Sequence, residues 1–194
     1  TVKYKKPKLT ITKVAVEWDG QTVSDVKNCK NGDLVTYQIM VKNDEDMETL
    51  EETITDVLDN ALEFQYVMDK NGKPVMNSGE TFPAMSIFEN DRYGTHFTGL
   101  RVDGQKLTFS LGRLAPKEGV LITLVCKVNT DKFPDNSNWH IKNTAKSITT
   151  GEKSGESDIE VEKPITIDKK VDGTDGGGTY KAGETLDYSI TIKN

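Results

Sequence analysis

The sequence predicts an all-β protein built as an immunoglobulin-like antiparallel β-sandwich, and three observations predict it. Apolar residues recur with a period of two in segment after segment. Turn-forming residues punctuate those segments at short intervals. Only one stretch, "NDEDMETLEETITDVLDNAL", hints at helix. Its acidic start and turn-rich end suit a loop feeding a strand at "EETITDVL" at least as well.

Taken in order, the alternating runs are "KLTITKVAVEW", "LVTYQIMVKN", "EETITDVL", "KLTFSLGRL", "VLITLVCKVN" and "WHIKNTAKSIT". All are rich in residues that favour a pleated, half-buried surface. "DGQ", "NGD", "DNA", "KNGKP", "VDGQ", "APKEG", "FPDNSN" and "TTGEKSGES" separate them. Many short strands at this spacing make a sandwich. The stretch from about 68 to 106 exceeds what a sandwich needs and is expected to form an inserted hairpin or ordered loop. The aromatics in or beside it, Tyr66, Phe82, Phe88, Tyr93 and Phe97, are expected to pack that insertion rather than line a ligand surface.

The chain also repeats itself. "KNGDLVTYQIMVKN" (30–43) and "KAGETLDYSITIKN" (181–194) share Lys, Gly, Tyr, Ile and a closing Lys-Asn at the same offsets. Upstream, "KLTITKVAVEWDG" corresponds to "PITIDKKVDG" with a length change between the blocks. The expected organisation is a linker or the end of a preceding module at 1–7, a complete module at 8–162, and the first two strands of a second module at 163–194. "SDIEVEKPIT" and "VKYKKPKLT" share a strand–Lys-Pro–strand form, so modules should join nearly strand to strand, as in a stiff rod. Two strands cannot be stable alone, so packing on the first module or on another copy is expected to hold them.

Composition narrows the function classes. The 194 residues carry a formal net charge of -6, with 35% hydrophobic and 29% charged residues. That balance argues against nucleic acid or an anionic membrane as partner. No apolar run approaches a bilayer-spanning length, and "TVKYKKPKLT" is no signal peptide. Cys29 sits near a turn and Cys126 on an apolar face, contexts that do not suggest a bridge. His96 and His140 stand apart in the sequence, so structural zinc is not expected, and neither is any cofactor. The acidic run "NDEDMETLEE" lacks the spacing of a calcium loop and reads as solvated surface. "DGTDGGGTY" reads as a hairpin turn, not a phosphate cradle, because no helix follows.

Three polar residues break the apolar alternation. Lys13 shares a strand face with Leu9, Ile11 and Ala15; Asp56 with Ile54 and Leu58; Asn143 with Ile141 and Ala145. Each is costly to bury unless the three meet. The alternative is that each strand slips or ends early, leaving its polar group at the rim.

At these residues the sequence resembles a known family. "GDLVTYQIMVKN", "TITDVLDNALEF", "LGRLAPKEGVLITLVCKV" and "IKNTAKS" look like successive blocks of the Cna-like repeat modules of Gram-positive surface proteins and fimbrial subunits. The resemblance spans residues 8–148, with one departure: "DVLDNAL" lacks the Pro and Gly that usually follow the Asp-x-Leu block. It implies an intramolecular isopeptide bond with Lys13 as nucleophile, Asn143 as electrophile and Asp56 as catalyst. In the second module it implies Lys169 as the matching lysine, rather than Lys170, unlinked here for want of Asp and Asn partners.

The implied function is a covalently braced structural stalk or spacer in an extracellular, cell-wall-attached bacterial adhesin or pilus. Its partners would be neighbouring repeat modules, and its one chemical act would be self-modification, not enzymatic turnover. Two other classes remain open from sequence. One is a module that binds glycan or host protein through 68–106; the other is an accessory β-sandwich domain of a secreted enzyme.

Overall fold

The computed structural model describes residues 8–88, 93–133, 139–163, 166–171 and 178–193. The N-terminal linker, Pro164 with Ile165, and most of "DGTDGGGTY" lie outside the described residues. Two compact units are present, 1–161 and 162–194.

In the first unit the strands are β1 (Leu9–Trp18), β2 (Gln21–Thr22), β3 (Leu34–Asn43), β4 (Glu52–Val57), β5 (Leu62–Met68), β6 (Pro74–Val75) and β7 (Thr81–Phe88). They continue with β8 (Tyr93–Asp103), β9 (Lys106–Gly112), β10 (Glu118–Val128), β11 (His140–Asn143), β12 (Ala145–Ser147) and β13 (Ser157–Glu160). A 3-10 turn at Thr130–Lys132 is capped by the Asn129 side chain, which accepts from the Asp131 N–H. The loop-then-strand reading of the acidic stretch holds, with β4 beginning at Glu52.

The strands pair antiparallel in the order β12-β4-β9-β8-β7-β10-β3-β1-β2, a continuous sheet that curls over an apolar core as an immunoglobulin-like sandwich. β10 joins its halves. On one side it pairs with β3 throughout; on the other it pairs first with β7, at Glu118–Leu121, and then with β5, at Thr123–Val128. Its sequence suits that place: Val120, Ile122, Leu124, Cys126 and Val128 point into the core with no exposure, and Val125 on the opposite face is also buried. The 68–106 stretch is therefore more than an appendage. Its hairpin β7–β8 is the bridge between β9 and β10. Of the aromatics in or beside it Phe82 is buried, Tyr66 and Phe88 are half-buried, Phe97 is exposed, and the Tyr93 side chain lies outside the described residues.

"WHIKNTAKSIT", read as one strand, is two. β11 pairs with β13, whereas β12 pairs with β4, so the chain changes sheets at Thr144. Alternation survives the change: Ile141, Asn143, Ala145 and Ser147 are all buried.

The second unit is a hairpin, β14 (Thr166–Val171) with β15 (Tyr188–Lys193). Ile167, Tyr188, Ile190 and Ile192 on one face are all exposed. The repeated turn that precedes β15 matches the one preceding β3. Gly32 and Gly183 have φ of 92° and 93°, which only glycine adopts freely. The Lys30 N–H donates to Asp33 Oδ2 at 2.7 Å, and the Lys181 N–H donates to Glu184 Oε2 at 2.9 Å.

Where β3 and β7 both flank β10, a side chain has no room. A Cβ on Gly119 would stand 3.3 Å from the Ile87 carbonyl oxygen and 3.7 Å from that of Val41. Gly119→Val is expected to destabilise the fold by about 1–3 kcal/mol, the usual range for overpacking, read from urea denaturation.

Candidate functional site

Register brings the three sequence-predicted polar residues into one buried place. Lys13 on β1 pairs with Ile39 on β3, and Asp56 on β4 pairs with Ala145 on β12. Asn143 lies two residues before Ala145, on the same face. Lys13, Asp56 and Asn143 are 3%, 0% and 3% exposed, which decides between a core and a rim placement.

Lys13 Nζ donates to Asp56 Oδ2, and neither side chain is exposed. Burial pulls the lysine pKa down, opposed by the aspartate's charge and hydrogen bond. Burial also pushes the Asp56 pKa up, opposed by the lysine's charge, the lysine hydrogen bond and the Asn143 amide. Both directions favour moving the shared proton from amine to carboxylate, leaving a neutral pair.

Asn143 adjoins Asp56 closely enough to act on its pKa, yet its amide makes no hydrogen bond of ordinary geometry. Its Nδ2 and Oδ1, together with Asp56 Oδ1, have no partner among the described residues. Buried amides are normally satisfied, so this one marks either a local cost or a chemical purpose.

Two neighbours escaped the sequence reading. The Tyr37 ring lies under the lysine, with Nζ 4.8 Å from its centroid, and its buried hydroxyl has no partner. The Cys126 thiol, whose pKa burial pushes up to about 12, lies near enough to Lys13 and Asp56 to interact electrostatically with both. Tyr37 could have been found, since it alternates with Val35, Ile39 and Val41 on the apolar face of β3. Cys126 and Cys29 are both free and buried.

The hairpin of the second unit carries half of the same arrangement. Lys169 pairs with Ile190 as Lys13 pairs with Ile39, and its Nζ lies 4.4 Å from the Tyr188 ring centroid. Lys170 falls opposite Ser189, on the other face, with its Nζ 3.8 Å from Asp168. Lys169 itself is exposed.

The acidic run departs from its solvated reading at Asn43, Thr49 and, among its carboxylates, Glu52. Glu52 has no exposure, because β4 turns it inward; its Oε2 accepts from Ser147 Oγ at 3.2 Å. Burial raises its pKa. Among the described residues no group of three His, Cys, Asp or Glu could hold a metal ion, and no helix is long and apolar enough to cross a membrane.

No protein-family model matches the chain, and no curated protein does. Solved structures do match. A variant of BcpA, the major pilin subunit of Bacillus cereus, superposes with a TM-score of 0.52 at 17% identity, over 94% of this chain and 53% of that one. Two domains of the major pilin SpaD from Corynebacterium diphtheriae give 0.50 at 18% identity, over 87% of this chain and 57% of that one. The fold is that of Gram-positive pilin domains. The chain spans just over half the length of each of these two.

The buried pair is expected to behave as a unit. In an Asn143→Ala background, Lys13→Met or Asp56→Leu alone should each cost about 3–5 kcal/mol by stranding the partner's charge. The double variant should cost clearly less than their sum, a coupling measured by denaturant unfolding of the four chains.

Proposed function

We propose that the chain is a structural module of a bacterial surface stalk, a pilus-like adhesin of a Gram-positive cell wall. In this reading an isopeptide bond between Lys13 and Asn143, promoted by Asp56, braces it. The observation that carries the proposal is the unsatisfied Asn143 amide beside a buried Lys–Asp pair.

From the neutral pair, the Lys13 nitrogen attacks Asn143 Cγ and the bond from Cγ to Nδ2 breaks. One proton passes from Nζ to Nδ2 by way of the Asp56 carboxyl, so ammonia leaves and the carboxyl is regenerated. Burial assists by favouring the uncharged forms of both groups. The reaction happens once per chain, so the module is not an enzyme.

A link between residues 13 and 143 would restrict the unfolded chain by roughly 5 kcal/mol on a loop-entropy estimate. Its mechanical effect is larger in consequence. Tension across the module would run through covalent bonds, and the strands between would not have to unzip. Neighbouring repeat modules are the natural partners of such a spacer, and the repeated lysine and tyrosine of the second unit support that reading.

Intact-mass measurement tests the bond. The chain should be lighter than its sequence by one ammonia, and a proteolytic fragment should join the peptides bearing residues 13 and 143. Lys13→Ala, Asn143→Ala and Asp56→Ala should each restore the full mass. A full-mass parent chain would overturn the bond and leave the sandwich standing.

A further inference from the structure

We propose that His96 is held as an imidazolium clasp, fastening the β7–β8 hairpin to β10 and β9 and loosening as pH rises. His96 stands on β8 opposite Ala84 of β7, half-buried at the edge of the core. Its Nδ1 lies 3.2 Å from Glu118 Oε1 on β10, and its Nε2 meets the Leu111 carbonyl oxygen on β9.

The acceptors on both sides fix the protonation state. A carbonyl oxygen can only accept, so Nε2 must carry a proton. Glu118 receives Ser86 Oγ from β7 at the same Oε1, and the Ala115 N–H at Oε2 with 2.7 Å. With the Ser86 hydroxyl at Oε1 and the Ala115 N–H at Oε2, Glu118 is held ionised and can only accept, so Nδ1 must carry a proton too. Either neutral tautomer would aim a nitrogen lone pair at an oxygen lone pair.

The electrostatics agree with the geometry. The hydrogen bond to Glu118 raises the His96 pKa above the ordinary 6.5, against a smaller opposing effect of burial, and the Leu111 carbonyl adds to the rise. For Glu118 burial is the largest influence and acts upward. The His96, Ser86 and Ala115 donors together outweigh it and leave the carboxyl below its usual 4.5. Among the described residues, Glu118 is the ionisable group acting on the ring.

The sign of the pH dependence follows. A histidine whose folded pKa is raised contributes its full stabilisation below the unfolded value of 6.5, and loses it as pH climbs through the folded value. The depressed Glu118 contributes above its unfolded value of 4.5 and fails as pH falls through its folded one. The clasp is thus closed between the folded titrations of Glu118 and His96 and opens as pH rises through the latter. What opens is the attachment of the hairpin that bridges β9 and β10.

The test uses the full chain as His140→Gln, so that His96 is the sole histidine. Ring-nitrogen NMR should show both nitrogens protonated at pH 6.5 and a titration midpoint above that value. The unfolding constant should rise between pH 6 and pH 9, by about tenfold for each unit the midpoint is displaced. Adding Glu118→Gln should bring the midpoint down and flatten the rise. A midpoint at or below 6.5, or a single protonated nitrogen at pH 6.5, overturns the clasp, and this measurement needs no variant at the site itself.

Discussion

Lys13 and Asp56 stand 43 residues apart in the chain and hydrogen-bond with neither side chain exposed. An uncompensated charge at that depth costs several kcal/mol, so each of the strands bearing them has one acceptable register. A slip of one residue would turn Lys13 or Asp56 outward and every apolar neighbour with it. The β1–β3 and β4–β12 ladders therefore do more than hold two sheet edges. They aim an amine and a carboxyl at each other, and the Ala145–Asp56 pairing sets Asn143 beside them.

Elsewhere the sandwich satisfies several of its buried polar side chains. Glu118 accepts three donors at the crest of the "APKEG" turn, and Asn43 donates to the carbonyls of Met47 and Ala115, both at 2.9 Å, to fasten the loop before β4. Single atoms of Tyr37, Glu52, Thr98 and Glu152 also lack a partner, but among the described residues Asn143 has both polar atoms of its side chain unpartnered. The contrast lies in the core of the same unit, so it reflects local arrangement rather than a loosely built interior.

Period-two alternation made much of this legible. It put Lys13, Asp56 and Asn143 on inward faces because a strand has only two faces, and an isolated polar residue among apolar ones is visible without a partner. It missed what depends on pairing. The division of 139–149 between two sheets leaves no mark, since Thr144 interrupts the hydrogen bonds and not the alternation. The role of 68–106 as a bridge was hidden for a related reason: a hairpin's length says nothing about which strands it lies between. Glu52 was lost in an acidic run whose other members are largely solvated. His96 and Glu118, 22 residues apart, meet only because β7 pairs with both β8 and β10.

Strand order also carries a consequence for how the chain assembles. β10 follows in sequence every strand it pairs with, β3, β5 and β7. Pairings of such separation form slowly, because the connecting chain must first be closed into loops. During synthesis the sandwich cannot close before residue 128 has emerged, and Asn143 with its partner strand β13 arrives later still. Any reaction between residue 13 and residue 143 is thereby the last step of a finished fold. A covalent seal that could form only after every earlier pairing is correct would act as an inspection mark, sorting completed modules from misassembled ones.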